Sequence, residues 1–315
     1  MSLATDPPSA VSPAAGGARR VTRSRPARAR AALAPYLYIA PALLLFAVFV
    51  LAPFAHTIWL SFFDWDGVTL GSWVGLENYS DIFSDSVIQR SFLNVLVLVF
   101  FVAVIPIVVG LVIAATLARS PLRGMTAFRT IIFLPQVIST VAVAVIWRWL
   151  YAEDGPFNEV LRTIGLDSFT HAWLGDYTWA LPAIGIVGAW VLIGLCMVLF
   201  LAGLQQIPGS LYDAARVDGA GAIREFFTVT LPGLRGVLAV TTTLTVVWAL
   251  RSFDLVFVMT RGGPGTSTMV PGMQIYQRAF QTGRVGSACA IAVVLAIIVF
   301  VVTVGINRFA ERDQR

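Results

Sequence analysis

Six stretches of this chain are each long and apolar enough to cross a lipid bilayer, and this constrains its fold more than any other feature. A membrane-crossing helix needs about 20 mostly apolar residues. Runs at roughly 36–60, 92–118, 126–151, 179–204, 236–259 and 286–307 meet that length. Only 12% of the 315 residues are charged and 57% are hydrophobic, whereas soluble domains carry roughly a quarter charged residues. The expected fold is all-α and integral to the membrane, with six transmembrane helices. Pro41, Pro53, Pro106, Pro135 and Pro182 fall in or near these runs, where neighbouring helices or waters can satisfy the carbonyls they free.

All 22 basic residues are arginine. Without lysine the chain can be neither a Walker-type phosphate loop nor a Schiff-base enzyme. Cys196 and Cys289 lie inside apolar runs and read as small core side chains, not as a disulfide framework or metal site. His56 and His171 are isolated, with no nucleophile or metal spacing around them. Residues 1–34 are rich in Pro, Ala, Ser and Arg. They are expected to form a disordered basic tail, not a signal peptide or a nucleic-acid-binding arm, because a basic flank before a span is a topology signal.

The loops alternate in charge. Segment 61–91 carries Asp64, Asp66, Glu77, Asp81 and Asp85 against Arg90, and 152–178 carries five acidic residues against Arg162. The tail, the 119–125 loop with Arg119 and Arg123, segment 205–235 and residues 308–315 are then expected in the cytoplasm. Loop 260–285 falls outside by alternation, against the grain of its Arg261, Arg278 and Arg284. A permease domain over 35–310, with a short tail 311–315 and both termini cytoplasmic, is the expected layout.

Between the fourth and fifth runs lies LYDAARVDGAGAIREFFTVTLP, residues 211–232. After the Pro208-Gly209 turn, Ser210 is the expected N-cap, with Asp213 three residues on to bond back to it. Gly219 is a natural helix stop, and a second helical turn runs to Pro232. Ala214, Ala215 and Gly219 present little side chain, so another protein could approach closely. The same residues also fit a capped loop that merely joins two spans.

The spacing D-A-A-x3-G-x9-V-x-L-P from Asp213 to Pro232 resembles the EAA motif of ABC importer permeases, with Asp213 and Val229 where Glu and Ile are commonest. VGLENY (74–79), FLP (133–135), WRWLY (147–151), WLGD (173–176), LAGLQQIP (201–208) and FDLVFVMTRGGPGTST (253–268) extend the resemblance to about residues 36–305, in the sugar-type branch related to the maltose and glycerol-phosphate permeases. The resemblance implies a type I permease fold and a cytoplasmic coupling helix that docks in a groove of an ATPase, with Asp213, Ala214, Ala215, Asp218, Gly219 and Pro232 carrying that contact. It also implies a non-catalytic subunit in a bacterial cell membrane. ATP and Mg would be held by two ATPase copies, beside a second related permease, an extracytoplasmic solute-binding protein and membrane lipid. No cofactor is expected in this chain.

Arg251 and Asp254 are full charges deep in the fifth run, three residues apart and so on neighbouring helix positions. Leaving a charge against lipid costs roughly 3 kcal/mol or more, so they line a path or else pair and snorkel near its outer end. Thr245, Trp248 and Ser252 are expected on one face, where hydroxyls beside a ring suit a sugar. The fourth-run counterparts implied by the resemblance, Gly188, Val191, Leu192 and Leu195, are far less polar than a dedicated sugar site. Trp190, the nearest ring on that run, reads as ordinary packing. The GGPG turn at 262–265 is, by resemblance, where the binding protein docks, through Arg261, Gly262, Gly263 and Pro264. The expected function is import of a sugar or sugar-like solute, with glycerol-3-phosphate or a polyol as the alternative. An ion-coupled carrier is the remoter rival, as the chain shows neither an internal repeat nor acidic groups in its spans beyond Asp254.

Overall fold

A computed structural model describes residues 38–119 and 124–312. The expected basic tail, residues 120–123 with Arg123, and residues 313–315 lie outside the described residues. The chain divides into two compact units, Met1–Phe54 and Ala55–Arg315.

In chain order the helices begin with α1 (Tyr38–Leu60), which is mostly apolar, with a mean hydropathy of 2.3 over its most apolar stretch. A two-stranded antiparallel hairpin follows, β1 (Phe63–Asp64) and β2 (Ser72–Trp73), pairing Phe63 with Trp73. Next come α2 (Glu77–Ser84), the long α3 (Ser86–Ala118), α4 (Met125–Val137), α5 (Thr140–Leu150) and α6 (Pro156–Thr163). The 25-residue α7 (Ala180–Leu204) leads to the short α8 (Gly209–Val217) and α9 (Ala222–Glu225). Finally α10 (Arg235–Leu250), α11 (Asp254–Met259), α12 (Pro271–Tyr276) and α13 (Val285–Arg312) complete the described chain.

Proline leaves a repeated imprint on these helices. A π turn covers Ala47–Leu51, Phe100–Val104 and Phe226–Thr230, ending two residues before Pro53, Pro106 and Pro232 respectively. In each case the residue just ahead of the proline donates five residues back: Ala52 to Ala47, Ile105 to Phe100 and Leu231 to Phe226. The pyrrolidine ring has no amide and crowds the carbonyl four residues earlier. Widening the turn by one residue relieves both problems without ending the helix.

Two expected spans differ in the structure. The run at 126–151 is a broken pair, with α4 and α5 meeting at 97°. Pro135 sits in the last turn of α4, Ile138 closes back on its carbonyl, and Ile138 and Ser139 are extended. The run at 236–259 is interrupted at 251–253, between α10 and α11. The second span also begins earlier than residue 92, at Ser86, because Asp85 caps it through the amides of Val87 (2.8 Å) and Ile88 (3.4 Å).

Helix α7 is the hub of the larger unit. It is the most deeply buried of the long helices and packs against α3, α4 and α10. Gly194 makes the α4 contact possible: a Cβ there would lie 2.7 Å from the Cα of Phe133 and against the Ile132 carbonyl. Small residues allow such backbone approach where lipid supplies no hydrophobic drive between helices. Three asparagines pin the connecting segments, each giving its side-chain amide to two carbonyls. Asn78 reaches Ser61 and Phe63, Asn94 reaches Ser267 and Met269, and Asn158 reaches Glu153 and His171. Asn158 also accepts from the Trp173 indole at 2.7 Å, which seats an aromatic cluster of Tyr151, Phe157, Trp173 and Trp179.

Candidate functional site

In the 208–232 segment, Pro208 holds the N-cap position and its carbonyl receives the amide of Leu211 at 3.1 Å. The expected cap at Ser210 is therefore not formed. Proline ends the extended chain with no amide to satisfy and the helix starts at once on Gly209, leaving Ser210 inside the first turn. Asp213 turns instead to Arg216, 3.5 Å away at i,i+3, both well exposed.

The stop falls where the sequence puts it. Gly219 has φ +74°, its amide bonds the Arg216 carbonyl at 3.0 Å, and the Ala220 amide bonds the Ala215 carbonyl at 2.9 Å. These two bonds make a Schellman closure. No atom lies within 4 Å of where a Gly219 Cβ would stand. Ala214 and Asp218 are exposed and Ala215 is half-buried. Around this small-residue turn, Leu211, Val217, Ile223 and Phe227 are exposed apolar side chains. Pro232 is half-buried in the turn that launches α10.

A cavity of about 310 Å³ opens at the break in the fifth span, lined by Trp248, Arg251, Ser252 and Asp254 together with Thr140 of α5 and Leu255 of α11. Arg251 and Asp254 do not stand on one helix as expected. Arg251 is the C-cap of α10 and Asp254 opens α11. Each charge thus sits at the helix end whose dipole favours it, and both remain exposed to the cavity.

The remaining expected path residues divide. Thr245 is buried and gives its hydroxyl to the Thr241 carbonyl at 2.9 Å, so it does not share the cavity with Trp248. Ser252 lies beyond the helix end and bonds the Trp248 carbonyl at 3.3 Å. Leu192 is core, packed with Val102 and Ala249. Gly188 lies under the indole: a Cβ there would be 3.3 Å from Trp248 Cζ3. Thr140 went unnoticed in the sequence. Its signal is the Ser139–Thr140 pair inside an otherwise apolar run.

In the turn after α11, Arg261 is exposed with φ 54°, and Gly263–Pro264 is cis. Gly262 is buried against Met269, while Gly263 and Pro264 are half-buried. Thr268 donates to the Gly263 carbonyl at 2.8 Å, Asn94 holds the carbonyls of Ser267 and Met269, and the Tyr177 ring lies against Gly265. The turn is therefore fixed in place.

Residues 107–314 match the family described as the binding-protein-dependent transport system inner membrane component, and the chain belongs to that family. It is a multi-pass membrane protein of the ABC transporter permease class. It is 36% identical over 267 residues to the probable ABC transporter permease protein YurN of Bacillus subtilis, covering 84% of this chain and 91% of that one. It is 35% identical over 271 residues to the diacetylchitobiose uptake system permease protein NgcF of Streptomyces coelicolor (82% and 77%). Against the lactose transport system permease protein LacF of Rhizobium radiobacter the figures are 32% over 284 residues (89% and 94%). The fold matches a chain in the crystal structure of a bacterial ABC transporter that imports the acidic polysaccharide alginate, with a TM-score of 0.77 over 92% of this chain and 99% of that one at 24% identity. The type I permease fold follows, and the reading as an ion-coupled carrier falls.

Proposed function

We propose that this subunit forms part of the path for a sugar or sugar-like solute and couples its passage to ATP hydrolysis in partner chains. One relationship carries the proposal. Helix α10 begins three residues after Pro232 and ends one residue before Arg251, so a single rod about 24 Å long runs from the Pro232 turn, where the segment that holds Gly219 ends, to the cavity. Movement imposed at one end reaches the other. Two ATPase copies, which hold ATP and Mg, would engage Asp213, Ala214, Ala215, Asp218 and Gly219 from the cytoplasm. A second, related permease would complete the cavity, and an external binding protein would deliver solute near Arg261, Gly263 and Pro264. The chain itself would be non-catalytic.

Support for a sugar comes from the Trp248 ring beside Ser252 and Thr140, and from relatives named for diacetylchitobiose and lactose. Arg251 in the same cavity keeps a phosphorylated polyol as a second reading. Asp254 beside it favours the neutral solute, because an anion would meet a like charge. The test is uptake by the reconstituted complex with its ATPase and binding protein. A labelled disaccharide should enter and glycerol-3-phosphate should not, and Trp248→Ala should cut uptake while basal ATP hydrolysis persists. Uptake unchanged by Trp248→Ala would remove the cavity from the path.

A further inference from the structure

The bend at Gly219, Ala220 and Gly221 is the softest link between the exposed α8 and the start of α10. Two glycines there confer the greatest backbone freedom, and an ATPase pushing on α8 through a free hinge would move α8 alone. Two side-chain bridges cross this bend. Arg216 Nε donates to Glu225 Oε2 at 3.3 Å, and the hydroxyls of Tyr212 and Thr230 lie 3.3 Å apart.

The spacing of these four residues is mechanically matched. Tyr212 and Arg216 are four apart on α8 and so share a face. Glu225 and Thr230 are five apart, which an ordinary helix would place on different faces. The π turn over Phe226–Thr230, set by Pro232, closes i to i+5 bonds and stacks them instead. The Glu225 side chain is 6% exposed and that of Arg216 is 62% exposed. The carboxylate is therefore a fixed anchor and the arginine the arm that reaches it. All four bridging side chains line a cavity of about 400 Å³ bounded by Ala118 and Leu204 at the ends of α3 and α7, and no atom lies within 4 Å of where a Cβ on Gly219 or Gly221 would stand.

We propose that Arg216 and Tyr212 are positioning residues that lock the two arms of the Gly219 bend into one rigid lever, so that displacement of α8 is delivered to Pro232 and α10 instead of being absorbed in the hinge. This rests on the reading of residues 208–232 as the segment that meets the ATPase. The residues act through Glu225 and Thr230 and need no contact with solute or nucleotide.

The test measures ATP hydrolysed per solute imported, in proteoliposomes of the full complex, alongside the amount of assembled complex. Arg216→Gln should raise that ratio by roughly 2- to 10-fold. Tyr212→Phe should shift it less, in the same direction, and the exchange Arg216→Glu with Glu225→Arg should bring it back toward wild type. A bridge that serves only folding would lower the yield of complex and leave the ratio untouched, which overturns the proposal. If Arg216→Gln fails to assemble, Tyr212→Phe decides alone, since it removes a single hydroxyl. Gly219→Trp separates the two layers of argument. If it leaves coupling intact, the ATPase contact is misplaced. If it uncouples while Arg216→Gln and Tyr212→Phe keep the wild-type ratio, the lever alone is wrong.

Discussion

Asp85 and Arg278, 193 residues apart, meet at 2.6 Å, with Arg278 also donating to Ser287 at 2.8 Å. The other oxygen of Asp85 caps α3. One carboxylate thus fixes the start of the second span to the segment that precedes the sixth.

Asp85→Asn keeps an acceptor for the cap but loses the charge pair. The Arg278 side chain is 10% exposed, and stranding a buried charge is costly, so a loss of about 2 kcal/mol is expected. Asp85→Ala also loses the cap and should cost about 1 kcal/mol more. Thermal melting in detergent measures both, and wild-type melting of Asp85→Asn would show the pair to be inert.

The backbone of α4 touches Gly194. Gly194→Val should force α4 and α7 apart and destabilise the chain by about 1–3 kcal/mol. A drop in melting temperature together with poorer membrane yield is the expected result, while an unchanged melt would mean that α4 shifts freely.

Because open space surrounds Gly219, substitutions there meet strain but no clash. Gly219→Ala should cost about 1 kcal/mol from its left-handed backbone, and Gly219→Asn less. Melting curves of the subunit rank the three residues; Ala more stable than Gly would contradict the positive φ.

Gly188→Val would bring its Cβ to 2.8 Å from Val102 Cγ2 and 3.3 Å from the Trp248 ring, so it should press on the buried Val102 and push the indole toward the cavity. About a tenfold loss in apparent solute affinity is expected, of the size that methylene-scale changes produce in a pocket, with assembly preserved. Binding-protein-dependent uptake against solute concentration reads it, and an unaltered curve would detach Trp248 from the solute.

The Asp176 carboxyl is held below its ordinary value of 3.8, chiefly by the amides of Thr178 and Trp179. A depressed carboxylate contributes stability above its unfolded value that is lost as pH falls through the folded one. Acidification below about pH 4 should therefore loosen the start of α7, and Asp176→Asn should flatten this part of the pH profile. Indole fluorescence of Trp173 and Trp179 follows it; identical profiles would exclude the cap.

Apolar run length revealed the spans, and a glycine at the end of a helical stretch revealed the Gly219 stop, because both signals are local. What stayed hidden depends on partners distant in sequence. The three arginines of loop 260–285 seemed to break the charge alternation. Arg278 and Arg284 are matched by Asp85 and Asp81 of the first acidic loop, so the surplus is cancelled in space. The break at Ile138–Ser139 was legible only as Pro135 and two hydroxyl residues, too weak a sign to outweigh 26 mostly apolar positions. Ser210 misled because a good cap residue two places late still fits the pattern. Trp248 and Ser252 reached the cavity and Thr245 did not: Thr245 is buried and its hydroxyl is taken by the Thr241 carbonyl one turn back, while Ser252 lies past the end of α10 at Leu250.

The three bracketing asparagines expose this architecture to slow chemistry. Each uses both amide hydrogens on carbonyls, so loss of ammonia from Asn78, Asn94 or Asn158 would replace two donors with a negative oxygen facing two negative dipoles. Tyr79, Val95 and Glu159 follow them, side chains bulky enough to hinder the backbone attack that begins such a loss. The working life of the loops outside the spans is thus tied to three amide groups and the neighbours that shield them.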